Sequence, residues 1–164
     1  MKSSQMTLNK RLSRFGVGPQ IGGVGLLYAA VAAVVTHRWP GICLICFVPF
    51  AVFASIATLL LIIGIPMLAV AAYSIMKGYN HDRLVTTGVS ALVRHPIYSA
   101  WIVFLGPGLV LLTRSWPLLL TPLVGYAVFK LRIHCEDDYL EHRFGAEYLA
   151  YRKRVNELFP IPRS

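Results

Sequence analysis

From Ile42 to Met76 the chain runs 35 residues without one Asp, Glu, Lys or Arg. A helix at the surface of a soluble domain buries one stripe and solvates the other, so polar residues return with a 3.6-residue period. A stretch that is apolar all round is suited to lipid, where every backbone N–H and C=O must be satisfied within the segment and a helix does so. A span takes about 20 residues to cross a core of ~30 Å. Two spans in this run would need a polar turn, and Gly64-Ile65-Pro66 is the only candidate. The piece after it would be about ten residues, too short to cross. The run therefore reads as one long, tilted helix from about Phe47 to Lys77, kinked at Pro66, since proline is tolerated within membrane helices.

The rest of the chain repeats the pattern on shorter lengths. Hydrophobic residues make up 56% of the 164 and charged residues 14%, with a mean hydropathy of +0.61. Residues 1–20 form a basic lead-in with Lys2, Lys10, Arg11 and Arg14. Followed by the apolar run Ile21 to Thr36, they have the outline of a secretory signal peptide, but the run is read as a retained first span. Trp39, in the turn His37 to Gly41, suits an interfacial anchor. Pro96 opens a third apolar helix at a position where its missing N–H is no loss, which makes His95 the N-cap; this helix reaches about Leu112. Thr113 to Pro117 is a tight turn, and Leu118 to Leu131 returns. The continuation, Arg132 to Arg154, is polar, with an apolar stripe of Tyr139, Leu140, Phe144, Tyr148, Tyr151 and Val155. It is expected to lie on the membrane surface, interrupted at Gly145, and to fold back over the polar loop Lys77 to Arg94. The expectation is a single all-α domain over residues 1–164: a polytopic membrane protein with about four transmembrane helices and an amphipathic C-terminal helix.

Charge sets the orientation. The formal net charge is +9, yet the basic residues lie between apolar segments and form no single patch, which argues against nucleic acid. With four spans, Arg38 and Arg114 stand alone on one side and the other 14 of the 16 Lys and Arg share the opposite side. The basic side is cytoplasmic by the positive-inside rule, and all seven acids fall there too. Both termini and any site would face the cytosol, in an inner (cytoplasmic) membrane or one of the endoplasmic-reticulum type. Cys43 and Cys46 have C-x-x-C spacing, but within an apolar run without a nearby His they read as small helix-face residues, neither metal nor redox ligands.

Two polar clusters carry chemistry. Arg132 and Glu136 share one helix face, four residues apart, and alone would be a surface pair worth about 0.3–0.5 kcal/mol. Antiparallel pairing of the last two spans, however, returns them to the start of the third span. His95, Tyr98, Arg132 and Glu136 then surround one opening, and ionisable groups near membrane depth mark a functional site by default. Arg94 reads as an interfacial anchor.

In order, the chain carries Leu84-Val85-Thr86-Thr87-Gly88, Arg94-His95-Pro96-Ile97-Tyr98, Arg132 with Glu136-Asp137, Phe144-Gly145-x-Glu147-Tyr148-x-x-Tyr151, and Phe159-Pro160. This set, over about residues 82–160, resembles the isoprenylcysteine carboxyl methyltransferase family, which shares its catalytic half with the phospholipid N-methyltransferases. The resemblance implies S-adenosylmethionine as the cofactor, residues 81–164 as the catalytic half with its C-terminal helix over a cytosolic cofactor pocket, and a lipophilic acceptor entering from the bilayer. It places cofactor contacts on Leu84, Val85, His95, Pro96, Ile97, Tyr98 and Glu136, and the acceptor on Arg132, with Arg132 and Glu136 as the catalytic pair and no metal. Glu136 suits the cofactor's cationic groups, and His95 with the free N–H groups of a helix start suits its carboxylate. Arg132 suits an acceptor carboxylate or a phosphate. Methyl transfer from a sulfonium is a displacement that depends on alignment, so no catalytic triad is required. The chain departs from the family at Ser90, where an aromatic residue is frequent, and in having Glu-Asp instead of Glu-Glu. A phospholipid or other small-lipid methyltransferase is the alternative enzyme; a non-catalytic membrane scaffold is the alternative of another class.

Overall fold

The structure, a computed structural model, describes residues 17–80 and 84–161. The basic lead-in before Val17, and His81, Asp82 and Arg83 of the polar loop, lie outside these residues. Among them the chain is helical, with two isolated bridges, Leu44 to Ser115 and Val93 to Asn156. Helix α1 spans Gly18–Arg38, longer at both ends than the sequence indicates, with Pro19 in its first turn. A single turn, α2 (Pro40–Cys43), follows. Helix α3 spans Phe50–Asn80 and continues through Pro66. The third apolar segment consists of α4 (Pro96–Ser99), a π-helical stretch (Ala100–Leu105) and α5 (Gly106–Leu111). After α6 (Trp116–Leu119) comes α7 (Thr121–Phe144), and α8 (Ala146–Arg154) completes the order.

Among the described residues, three helical stretches are long and apolar enough to cross a membrane: Gly18–Arg38, Phe50–Lys77 and Trp116–Phe144. The segment Pro96–Leu111 is shorter. At 1.5 Å per residue its 16 residues reach about 24 Å, less than a core of ~30 Å.

The third segment lies between α3 and α7, and α1 packs on the outer side of α7. The close fit on α3 comes from small residues seven apart: Ala57, Gly64 and Ala71 are all buried. Removing side chains lets backbones approach where lipid offers no hydrophobic drive. A Cβ on Gly64 would stand 2.8 Å from Cβ of Phe104 and 3.0 Å from Cδ2 of Leu105. The π-helical stretch is the part of the third segment pressed against that gap.

α1 runs antiparallel to α7 and is pinned at both ends. Tyr28 donates to the carbonyl of Pro117 (3.0 Å), and the hydroxyls of Thr36 and Ser115 meet at 2.7 Å. At the same end the Arg114 guanidinium donates to the carbonyls of Ile45 (2.7 Å) and Val48 (3.3 Å), tying the two short connections together. At the opposite end an apolar cluster of Val17, Ile21, Phe129, Ile133 and Leu158 joins α1, α7 and the C-terminal segment.

α7 continues without a break from the apolar run into the polar one and ends at Gly145, whose φ of 53° and ψ of −127° suit a residue without Cβ. The chain turns there and α8 folds back. Tyr148, Tyr151 and Val155 pack with Leu84, Leu140 and Phe144, so α8 folds back onto the described part of the loop that leads to His95, at Leu84 and Ser90.

Replacing Gly64 with Val should lower stability by about 1–3 kcal/mol, the usual cost of overpacking. Thermal unfolding in detergent, followed by circular dichroism, measures it; an unchanged midpoint would show that α3 and the third segment are not in close contact.

Candidate active site

The buried face of α7 is a row four residues apart: Gly125, Phe129, Ile133 and Asp137. Three apolar members end in a carboxylate. Such a group is costly to bury unless fully paired, and Asp137 has three donors. Arg94 Nη1 lies 3.2 Å from Oδ2 and His95 Nε2 lies 3.0 Å from Oδ1, while the Tyr148 hydroxyl also donates to Oδ1. The second arm of Arg94, Nη2, pairs with Glu157 at 3.2 Å, and Glu157 in turn accepts from Lys130 at 2.6 Å. Arg94 is only 7% exposed. Its expected role as an interfacial anchor is therefore wrong: it is the buried cation that neutralises Asp137.

The backbone reinforces this centre. The N–H groups of Arg94 and His95 donate to the carbonyls of Asn156 (2.7 Å) and Glu157 (3.1 Å), and the Ser99 hydroxyl donates to that of Leu158 (2.7 Å). Tyr151 donates to the carbonyl of Ser90, which is buried. The C-terminal segment thus straps the start of the third segment in place. His95 does occupy the N-cap position, but its side chain makes no cap hydrogen bond; it turns inward to Asp137.

Glu136, one residue along α7, faces elsewhere. Its Oε2 accepts from the Tyr98 hydroxyl at 2.9 Å and from the backbone N–H of Val17 at 3.4 Å, while its Oε1 is 3.9 Å from His95 Nδ1. The rings of His95, Tyr98 and Phe129 lie within 6 Å of one another, centroid to centroid. Three of the sequence-predicted residues, His95, Tyr98 and Glu136, therefore meet in one constellation. Pro96 is buried and Ile97 half-buried beside them on α4.

Arg132 is not part of that constellation. It is exposed and makes no ion pair with Glu136 among the described residues. Instead it opens onto a groove of about 550 Å³ between α1 and α7, lined also by Gln20, Gly23, Val24, Val128 and Leu131. The Oε1 atom of Gln20 is buried without a hydrogen-bond partner. Leu84 packs in the tyrosine cluster under α8, and Val85 is half-buried. No group of three or more His, Cys, Asp or Glu able to hold a metal is present among the described residues. Sequence reasoning overlooked the partnership of Arg94, Asp137, Tyr148 and Glu157. One signal was available: Asp137 continues the four-residue apolar row from Gly125, so it had to point inward.

Comparison with known proteins points to one family. The description "Isoprenylcysteine carboxyl methyltransferase (ICMT) family" matches residues 47–142. A protein-S-isoprenylcysteine O-methyltransferase B of Arabidopsis thaliana is 35% identical over 82 residues, covering 50% of this chain and 42% of the relative. The Schizosaccharomyces pombe protein-S-isoprenylcysteine O-methyltransferase is 39% identical over 83 residues, 50% of this chain and 35% of the relative. For the Rattus norvegicus enzyme of that name the figures are 32% over 112 residues, 63% and 39%. The matched region thus spans well under half of these relatives. No solved structure gives a significant match.

The tyrosines of α8 respond to their surroundings. Burial, and then the hydrogen bond to Asp137, push the Tyr148 hydroxyl well above the ordinary phenol range, and burial pushes Tyr151 up to about 12. At Glu157 partial burial works upward, but the Lys130 hydrogen bond and charge, with Arg94 behind them, outweigh it and the net shift is down. A lowered carboxyl contributes stability that is complete above its ordinary range near 4.5 and fades as pH falls through the folded value. The stability difference between wild type and Glu157→Gln should therefore be greatest near neutrality, under about 1 kcal/mol at this partly exposed site. It should shrink on acidification below the ordinary carboxyl range near 4.5. Thermal midpoints of the two proteins across that range test this.

Proposed function

The chain belongs to the isoprenylcysteine carboxyl methyltransferase family, and on that premise we propose that it is an integral membrane methyltransferase acting from S-adenosylmethionine on a lipophilic acceptor. The observation that carries the proposal is the meeting of His95 and Tyr98, at the start of one helix, with Glu136 on the helix packed against it. In this reading the third segment is a fourth span, shortened by its tight crossing of α3. Both termini and the site face the cytosol, and the acceptor is a prenylcysteine-type carboxylate.

The donor set suits the cofactor. Glu136 has one oxygen engaged by Tyr98 and Val17, and its other oxygen faces His95 at 3.9 Å, beyond hydrogen-bond reach. That spacing leaves an anionic edge for a cationic group. The amino-acid half of the cofactor is assigned to His95, Tyr98 and Glu136, and the adenosine half to Leu84, Val85, Pro96 and Ile97. When bound, S-adenosylmethionine supplies a methyl group activated on a sulfonium. The protein's own work is alignment and exclusion of water. Phe129 and Tyr98 wall the polar group on the apolar side. Arg132, one turn before Glu136, is placed to grip the acceptor carboxylate, while Val24, Val128 and Leu131 of the groove accommodate its apolar chain. A carboxylate acceptor needs no general base.

Isothermal calorimetry of the detergent-solubilised protein should detect binding of S-adenosylmethionine and S-adenosylhomocysteine; absence of both would end the enzyme reading. Glu136→Ala should abolish that binding, and unchanged affinity would remove Glu136 from the site. Arg132→Ala should lower turnover on a prenylcysteine analogue at least tenfold (roughly one charge-assisted hydrogen bond) with little change in donor affinity. The reverse pattern would contradict its substrate role. With radiolabelled donor, label on phosphatidylethanolamine instead of the prenylcysteine analogue would reassign the acceptor.

A further inference from the structure

Asp137 carries no role in the reading above, yet it is among the most thoroughly partnered side chains described. It is 1% exposed and accepts from Arg94, His95 and Tyr148. A structural purpose, tying α7 to α8 and to the strap, accounts for Arg94 and Tyr148. It does not account for His95, whose ring could have capped its own helix.

The hydrogen bond to Asp137 assigns the donor nitrogen of His95. A carboxylate flanked by a guanidinium and a phenol is an acceptor, so Nε2, 3.0 Å from Asp137 Oδ1, is the N–H of the ring. In the neutral imidazole the other nitrogen, Nδ1, then bears a lone pair. Nδ1 looks toward Glu136 Oε1 at 3.9 Å. In that neutral form two acceptors face each other from two helices, too far apart to bond. Glu136 cannot turn away freely, because its Oε2 is held by Tyr98 and Val17. A group that bridges both acceptors offers two donor hydrogens, and beside a carboxylate a cationic one binds best. A primary ammonium does so; a carboxylate would be repelled by both.

We infer that Asp137, braced by Arg94, is a positioning residue that holds His95 as the Nε2–H tautomer so that Nδ1 and Glu136 together receive the α-ammonium of the methyl donor. The inference rests on the methyltransferase reading. It reverses one expectation from sequence, in which His95 was matched to the donor's carboxylate. It also gives the acidic pair a division of labour: Glu136 contacts the ligand, and Asp137 acts through the histidine.

The test is discrimination between two ligands. Calorimetric affinities of S-adenosylhomocysteine and of its analogue lacking the α-amino group are compared for wild type and Asp137→Asn in detergent. Wild type should prefer the amino compound by on the order of tenfold or more, the scale of a charge-assisted hydrogen bond. In Asp137→Asn an amide can present either end to Nε2, the tautomer is no longer set, and the preference should fall to within about twofold with the analogue's affinity little changed. An equal loss for both ligands, or an intact preference, would make Asp137 merely structural and overturn the inference. Binding of neither ligand by wild type would instead defeat the methyltransferase reading itself. Should Asp137→Asn fail to fold, His95→Gln supplies the same readout, since its amide keeps a donor to Asp137 and removes the Nδ1 acceptor. Loss of the preference is expected, and its survival would overturn the inference.

Discussion

The buried pair of Arg94 and Asp137 is the interaction on which the polar end of this molecule depends. Each residue is nearly inaccessible, and neither tolerates the loss of the other: removing one partner of such a pair leaves an uncompensated charge, at a cost on the order of 3–5 kcal/mol. The pair is held by more than its own attraction. Asp137 closes the buried row of α7, and Arg94 belongs to a backbone strand-like contact with Asn156 and Glu157. The C-terminal segment, α8 and the start of the third segment are therefore one assembly, although some 60 residues separate their parts in the chain.

That assembly explains how a site can be ordered at the mouth of loosely interacting membrane helices. Helices in lipid gain little from burying apolar side chains against each other, so they rely on close backbone fit and on interhelical hydrogen bonds. The middle of the bundle uses the first device, at Ala57, Gly64 and Ala71 against the third segment. Its two ends use the second: Arg114, Thr36 and Ser115 at one, and Arg94, Asp137, Tyr98 and Glu136 at the other. The first helix joins at both ends, and the N–H of Val17 just before it donates to Glu136.

The division within Glu136-Asp137 shows how neighbours on a helix come to have different surroundings. Successive residues are about 100° apart around the axis, so one carboxylate meets Tyr98 and the next enters the core with Arg94. Arg132 precedes Glu136 by one turn, yet its long side chain reaches outward to the groove beside α1. Sequence spacing put them on one face; side-chain length and packing separated them.

The sequence alone determined that the chain is helical and membrane-bound, where its apolar segments run, that α8 would be amphipathic and turn at Gly145, and that three of the four residues expected to converge, His95, Tyr98 and Glu136 but not Arg132, would do so. These follow from local or near-local constraints: run length against bilayer thickness, the period of an apolar stripe, the φ freedom of glycine, and the antiparallel return of adjacent spans. Tertiary structure decided the rest. Whether Arg94 stayed at the interface or was buried depended on Asn156, Glu157 and Tyr148 arriving beside it, and a charge is buried only when its distant partners are in place. The same holds for the inward turn of His95. Pairings of this kind are matters of geometry across the whole fold, and no window along the chain contains them.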